Sequence, residues 1–130
     1  MSIEVGLKGR SETVVTNQNT ADAVGSGLVP VFATPYMIAL MENAASTCLV
    51  PYLAEDEGSV GTHLDVAHSS ATPIGMKVWA EAEVTAVDGK KITFSVTACD
   101  EAGEIGRGTH ERFIIKPEKF LAKTQAKLNR

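Results

Sequence analysis

Aromatic residues are scarce in this chain of 130 residues, which has one Trp, two Tyr and four Phe, or 5% of the total. A core must therefore be built mainly from Val, Ile, Leu, Met and Ala, which keep the hydrophobic fraction at 44%. With 22% charged residues, the composition is that of a globular protein. The length suits one core, so we expect a single domain over residues 1–130.

Long apolar runs and an excess of basic residues are also missing. The longest apolar run, Pro35 to Met41, is far shorter than a membrane span, and the N-terminus has no apolar core of signal-peptide length. The formal net charge of -4 gives no electrostatic reason to expect nucleic-acid binding. We therefore predict a cytoplasmic protein that binds neither membranes nor nucleic acid.

Cysteine is rare as well, since Cys48 and Cys99 are the only two in the sequence. Two cysteines do not form a disulfide framework, and without a CxxC motif or a Cys/His cluster there is no zinc-site pattern. We predict that both are buried free thiols in a reducing compartment and that the protein holds no metal.

The segment from Thr34 to Pro51 predicts a helix over residues 35–49. Thr is favoured as an N-cap, Pro is favoured at the first helical position, and Pro51 cannot lie in the interior of a helix. Residues 36–41 are apolar on every side of the helix. A helix of this kind is buried all round, which places it at the centre of the fold.

One strand is predicted before this helix and four after it. Residues 3–15 form the first strand, followed by a polar loop that contains glycines. Alternation of apolar and polar residues predicts strands at 74–87 and 92–98, and extended segments between turns predict two more at 59–68 and 104–115. Asp88-Gly89 predicts a tight hairpin, and residues 117–130 form a polar, Lys-rich tail that could be a short helix.

This order of elements leads to one architecture. An antiparallel sheet is the only large apolar surface available to wrap the helix, yet one sheet cannot cover every side of it. The edge strands of that sheet also present unpaired backbone groups. Joining two sheets edge to edge addresses both problems. We predict an α+β hotdog fold, with an antiparallel sheet of about five strands wrapped around one central helix, assembled as a homodimer.

Two helix residues are candidates for chemistry. Glu42 directly follows the apolar run, and a carboxylate on a buried helix must be paired or hydrogen-bonded, or it becomes a candidate acid or base. The alternative is that the helix emerges there and Glu42 faces water. Thr34 lies eight residues earlier, about two turns, so both side chains can project to one side. Thr34 is either only an N-cap, or its hydroxyl and the nearby helix N–H groups polarise a carbonyl group.

His68 ends the second predicted strand and is either a surface residue or a general base. His63 and Asp65 point to the opposite face, as surface residues or, with a third partner, metal ligands. Arg107 and Arg112 in the last strand either lie on a solvated face or contact a ligand phosphate. The sequence has no GxGxxG, GxxxxGK[ST] or GxSxG motif, so neither a nucleotide-binding loop nor an α/β-hydrolase is indicated.

Five segments, in their order and spacing, resemble the fluoroacetyl-CoA thioesterase-like family of hotdog proteins. They are VFATP at 31–35, MENAA at 41–45, GTHLDVAH at 61–68, ATPIG at 71–75 and GRGTHER at 106–112. The resemblance extends over nearly the whole chain, from about residue 5 to 117. It implies a Thr, Glu, His active site, which maps onto Thr34, Glu42 and His68 and lies at a subunit interface.

The resemblance further implies an acyl-CoA thioesterase that hydrolyses a small or medium acyl-CoA to the free acid and coenzyme A. Substrate-binding residues are expected at Phe32, Pro35, Gly61 and Arg112. No cofactor is expected, because coenzyme A is part of the substrate, and two dimers could pair into a tetramer. The alternatives are a non-catalytic acyl-CoA-binding hotdog protein and, less favoured, a hotdog enoyl-CoA hydratase, whose Asp/His pair is not evident.

In one respect the sequence departs from the family. The fluoroacetyl-specific member closes its pocket with aromatic side chains in the loop before the helix, whereas residues 22–30 contain none. We therefore predict that the acyl group is not fluoroacetyl.

Overall fold

A computed structural model describes residues 2–129, which form one antiparallel sheet crossed by one long helix. Its strands are β1 (Lys8–Val14), β2 (Gly58–His68), β3 (Lys77–Asp88), β4 (Lys91–Asp100) and β5 (Gly103–Ile115). Its α-helices are α1 (Ala21–Val24), α2 (Thr34–Leu49) and α3 (Pro117–Gln125), with 3₁₀ turns at Val50–Tyr52 and Ala126–Asn129. Met1 and Arg130, the two ends of the predicted domain, lie outside the described residues.

The sheet has the strand order β1-β3-β4-β5-β2, and every pair of neighbours is antiparallel. The prediction of about five strands and one central helix is confirmed. Strands β1 and β2 are the two edges. Within residues 2–129, β2 pairs with β5 alone, so its other side carries unpaired backbone groups.

Helix α2 packs across one face of the sheet, and the core lies between them. Its buried side chains include Met37, Met41 and Leu49. They meet the inward residues of the central strands, which alternate with period two: Val78, Ala80, Ala82, Val84, Ile92, Phe94, Val96 and Ala98. A β-carbon on Gly9 would overlap the carbonyl oxygen of Ala44, so glycine allows the helix to lie close to β1.

The prediction that α2 is buried on every side is wrong for a single chain. Pro35, Tyr36 and Ala39 are exposed, and Tyr36 retains 44% of its surface. The physical reason is that one sheet covers one face of a helix, and no other element of the described chain covers the opposite face. An apolar strip of α2 is therefore left open near its N-terminus.

Glycines explain the two largest shifts in the strand boundaries. Strand β1 begins at Lys8 instead of Ile3 because Gly6 turns the chain with a φ of 99°, and Gly75, with a φ of 100°, delays the start of β3. The hairpin turn after β3 lies at Gly89-Lys90, one residue later than predicted. The described part of the predicted tail forms α3 and the turn that follows it.

Both cysteines are free thiols, as predicted. Cys48 is buried in the core, but Cys99 is only partly buried, so that part of the prediction is wrong. Burial raises the pKa of both thiols, which disfavours their reactive thiolate forms. No helix within residues 2–129 is both long enough and apolar enough to cross a membrane.

Candidate active site

Thr34 and His68 lie in contact at one end of the sheet. Thr34 Oγ1 is 2.7 Å from Nδ1 of His68, the last residue of β2. Ala33, and not Thr34, is the N-cap of α2, and no side chain caps this end of the helix. The prediction of Thr34 as an N-cap is therefore wrong, and its hydroxyl is available for the imidazole.

The second ring nitrogen of His68 has no hydrogen-bond partner in the part of the chain that the structure describes. Nε2 is buried and forms no hydrogen bond within residues 2–129. Burial lowers the pKa of His68 below its usual 6.5, so the ring is mainly neutral at pH 7. A neutral ring that holds Thr34 on Nδ1 can offer Nε2 either as a proton acceptor or as an N–H donor, depending on the tautomer. Both forms suit proton transfer.

A cleft of about 260 Å³ opens beside this pair, and we call it the active-site cleft. Its lining side chains are mostly small: Ala21, Ser26, Val31, Phe32, Thr34, His68, Ser69, Ser70 and Ala71. Phe32 is buried in its floor, whereas Pro35 is exposed beside Thr34. Two of the expected substrate-binding residues thus lie at or next to the cleft.

Among the described residues, the start of α2 has one backbone N–H near Thr34 without an acceptor. Pro35 has no N–H, and the amides of Tyr36 and Met37 donate to the carbonyl oxygen of Ala33. Within the described residues, the Thr34 amide has no acceptor, so it can donate to a ligand. We expected several free N–H groups at this end of the helix, and in the described part of the chain the structure leaves one of them free, that of Thr34.

Glu42 lies apart from Thr34 and His68 in the same chain. Eight residues of helix separate it from Thr34, which is about 12 Å along the axis. Within residues 2–129, its carboxylate hydrogen-bonds to neither of them, and its ion-pair partner is Arg112, with Oε2 3.5 Å from Nη1. The structure therefore brings two of the three predicted catalytic residues together, and places the third at a second cluster.

Arg112 is the centre of that second cluster. Its side chain is only 8% exposed; Nε donates to Ser59 Oγ at 2.9 Å and Nη2 donates to the Ser59 carbonyl at 3.1 Å. Burial lowers the pKa of Arg112, and the Glu42 carboxylate offsets part of that effect. Of the two alternatives for Arg112, a solvated strand face is wrong. Its guanidinium faces Glu42, whereas Arg107 lies exposed in an ion pair with Glu104.

His110 completes the cluster, although no role was predicted for it. It is fully buried, with Nδ1 2.8 Å from the carbonyl oxygen of His63 and Nε2 3.2 Å from Arg112 Nη1. Arginine only donates and a carbonyl only accepts, so Nδ1 carries the proton and Nε2 accepts. Burial lowers the pKa of His110, which agrees with this neutral form. The period-two alternation that places His110, Arg112 and Ile114 on one strand face was the available signal.

Gly61 makes room for the Glu42 carboxylate. A β-carbon at this position would lie 2.5 Å from Glu42 Oε2 and 3.1 Å from His110 Cε1. The pairing of β2 with β5 is also irregular between Gly61 and His63. Gly61, expected to bind substrate, is therefore in contact with the candidate acid. His63 and Asp65 are exposed, and the described residues contain no group of three or more side chains suited to hold a metal ion.

Residues 15–118 match the profile of the fluoroacetyl-CoA-specific thioesterase family, which is most of the chain. The chain belongs to this family. A fluoroacetyl-CoA thioesterase from Streptantibioticus cattleyicolor is 47% identical over 97 residues, which cover 75% of this chain and 70% of that relative. The resemblance read from the sequence is confirmed.

Solved structures agree with this membership in the fluoroacetyl-CoA-specific thioesterase family. A structure of the fluoroacetyl-CoA thioesterase superposes with a TM-score of 0.93 at 38% identity and covers 98% of each chain. A Thermus thermophilus protein described as a thioesterase superfamily member gives a TM-score of 0.90 at 32% identity, covering 98% of this chain and 95% of that one. The predicted hotdog fold is confirmed.

Proposed function

We propose that this family member hydrolyses a small or medium acyl-CoA thioester to the free acid and coenzyme A. The observation that carries the proposal is the 2.7 Å contact between Thr34 Oγ1 and His68 Nδ1 beside an open cleft. It couples a hydroxyl to an imidazole that burial keeps neutral, and a neutral imidazole is the form that accepts a proton.

The thioester carbonyl would lie between the Thr34 amide and His68. As water attacks the carbonyl carbon, His68 accepts a proton from it, and the developing oxyanion accepts a hydrogen bond from the Thr34 N–H. The carbon–sulfur bond then breaks, and the proton held by His68 passes to the departing thiolate. Thr34 Oγ1 holds the imidazole in the orientation that this transfer needs.

Glu42 would join this site from the partner subunit of a homodimer. Two features favour dimerisation at this side of the molecule, namely the exposed apolar strip of α2 and the free edge of β2. In one chain, Glu42 lies against Gly61 while Thr34 lies against His68, seven residues further along β2. If the two β2 strands pair antiparallel about their middle, Gly61 of one subunit lies only two or three residues along the strand from His68 of the other, so the partner's carboxylate comes near this site.

Glu42 can act in this reaction in either of two ways. The carboxylate either orients and charge-balances His68, or attacks the thioester directly to form an anhydride that water then cleaves. In both cases the buried Arg112 positions the Glu42 carboxylate through their ion pair, and the neutral His110 holds the Arg112 guanidinium in place. Mass spectrometry after a rapid acid quench separates the two, because only direct attack leaves the acyl group on the protein.

The test of the proposal is release of thiol from acetyl-, fluoroacetyl-, butyryl- and benzoyl-CoA. We expect hydrolysis without preference for fluoroacetyl-CoA, because residues 22–30 contain no aromatic side chain to close the pocket. Binding without thiol release at every chain length would instead support a non-catalytic acyl-CoA-binding protein. Hydration of crotonyl-CoA without thiol release would support a hydratase.

Glu42→Gln is the first variant to compare in this assay. It keeps the size of the side chain and removes its charge, so kcat should fall at least 100-fold, the usual scale for a group acting in proton transfer, while the fold is retained. Glu83→Gln is the matched control, because Glu83 is exposed on β3. Turnover of Glu42→Gln equal to that of the control would remove Glu42 from the mechanism.

A further inference from the structure

Five lysines surround a groove of about 600 Å³ beside α3, which we call the lysine groove. The lysines are Lys90, Lys116, Lys119, Lys123 and Lys127, and the rest of the lining is mainly apolar, with Phe113, Ile114, Ile115 and Phe120. Within the described residues, the lining contains no acidic side chain. In a chain with a net charge of -4, this is a marked local excess of positive charge.

The lysines are arranged by the helix itself. Lys116, Lys119, Lys123 and Lys127 follow one another at intervals of three, four and four residues, which keeps them along one face of α3 and its continuation. Phe120 shares this face, and Lys90 approaches from the turn between β3 and β4. Within residues 2–129, only Lys116 of the five forms an ion pair, with Asp56 at 2.9 Å, so four ammonium groups are left to a ligand.

The floor of the groove is aromatic and partly open. Phe113, one of the two phenylalanines that line the groove, is 42% exposed, which is unusual for a large apolar ring. Several cations around aromatic faces suit a ligand that combines phosphates with a flat base. The volume is also in the range of small-molecule sites.

We propose that the lysine groove binds the nucleotide half of coenzyme A, its adenine on the phenylalanine floor and its phosphates on the lysines. This inference rests on the proposed function. It adds a binding site for the nucleotide, the part of the substrate that distinguishes coenzyme A from a shorter thiol.

Because of its position, the lysine groove of one subunit would hold the nucleotide of the substrate whose acyl group lies in the active-site cleft of the partner subunit. It adjoins Ile115, which pairs with Gly58 at the start of β2, whereas His68 ends that strand. Ten residues of extended chain separate the two ends, about 33 Å, so the groove is remote from the active-site cleft of its own chain. Antiparallel pairing of the β2 strands sets the Gly58 end of one subunit beside the His68 end of the other. Each substrate would then span both subunits.

The experiment uses charge reversal on α3 and two substrates of the same acyl group. Lys119→Glu, Lys123→Glu and the double variant are compared with Lys8→Glu, an exposed lysine on β1 outside the groove. Binding of adenosine 3′,5′-bisphosphate is measured by calorimetry. Turnover is measured with the acyl-CoA and with the corresponding N-acetylcysteamine thioester, which has no nucleotide.

We expect each single variant to weaken nucleotide binding and to raise the KM for acyl-CoA about threefold to fivefold, and the double variant at least tenfold. The kcat should change less than twofold, and turnover of the N-acetylcysteamine thioester should be unchanged, as in Lys8→Glu. Three results would overturn the proposal: no nucleotide binding by the wild-type protein, weaker nucleotide binding with an unchanged KM for acyl-CoA, or equal loss on both substrates. Failure of the proposed function looks different, since the wild-type protein would then cleave neither thioester.

Discussion

The contact between Gly61 and Glu42 allows the position of the carboxylate to be tested without changing the carboxylate. In Gly61→Ala, the new β-carbon would lie 2.5 Å from Glu42 Oε2, and ordinary contact begins at 3.4 Å. The oxygen must therefore retreat by 3.4 − 2.5 = 0.9 Å. A misplacement of about 1 Å can cost roughly 100-fold in rate, so we expect kcat to fall by about that factor.

The same geometry predicts a small effect on stability. Glu42 Oε2 is the end of a flexible side chain and can move cheaply, whereas the buried His110 ring must yield by about 0.3 Å from its 3.1 Å contact. Overpacking of this kind costs about 1–3 kcal/mol, and the loss of glycine flexibility in the unfolded chain returns about 0.4–1 kcal/mol. Urea unfolding should therefore show a net loss of stability of at most ~2.6 kcal/mol.

The assay for Gly61→Ala is thiol release under saturating acyl-CoA, with Gly58→Ala as the matched control. Gly58 lies in the same strand, and its added β-carbon would meet Pro117 at 3.2 Å and not Glu42. The control should keep kcat within twofold of wild type. A folded Gly61→Ala protein with kcat within threefold of wild type would refute the reasoning, because Glu42 could then move 0.9 Å without consequence.

Two further predictions concern the histidines. Thr34→Val keeps the shape of the side chain but removes the hydroxyl that contacts His68. Loss of this hydrogen bond costs about 1–1.5 kcal/mol, so kcat should fall about tenfold, whereas Thr34→Ser should stay near wild type. Equal rates for the two variants would exclude a role for the hydroxyl. Burial lowers the pKa of His110 and of His68 below the unfolded value of about 6.5. The unfolded state then binds more protons below pH 6.5, so stability is complete above that pH and is lost as the pH falls. Urea unfolding at several pH values should show this loss, with a slope of up to ~1.4 kcal/mol per pH unit for each histidine, and no loss between pH 6.5 and 5 would contradict the burial of His110.

Periodic signals predicted the elements well, because they depend on neighbours in sequence. The alternation that predicted β3 and β4 agrees with the alternating burial in the structure, where the buried residues are Val78, Ala80, Ala82, Val84, Ile92, Phe94, Val96 and Ala98. The boundaries failed where a single glycine with positive φ turned the chain, as at Gly6 and Gly75. The prediction that α2 is buried on every side was wrong because a hydrophobic pattern indicates that a helix favours burial, but does not identify the element that covers it.

Side-chain partners across the fold were harder to predict. Thr34 looked like an N-cap because that preference is local, whereas the partner of its hydroxyl is 34 residues away at the end of β2. A solvated strand face was one of two alternatives for Arg112 because charge favours water, yet Ser59 and His110 on neighbouring positions of β2 and β5 hydrogen-bond to its guanidinium in the interior. No local sequence pattern predicts the strand register that brings these residues together.

The separation of Glu42 from Thr34 and His68 leads to a test of shared sites. Helix α2 and strand β2 run in opposite directions, so Thr34 meets His68 at one end and Glu42 meets Gly61 further along. In the proposed dimer, a two-fold axis that pairs the β2 edges would give two sites, each with Thr34 and His68 from one subunit and Glu42 from the other. In a mixed dimer of Thr34→Val and Glu42→Gln subunits, one site would then carry both substitutions and the other none. Subunit exchange at equal concentrations makes half of the dimers mixed, so activity should return to about a quarter of wild type. If all three residues acted within one chain, every site in the mixture would carry a substitution, and activity would not rise above that of the separate variants.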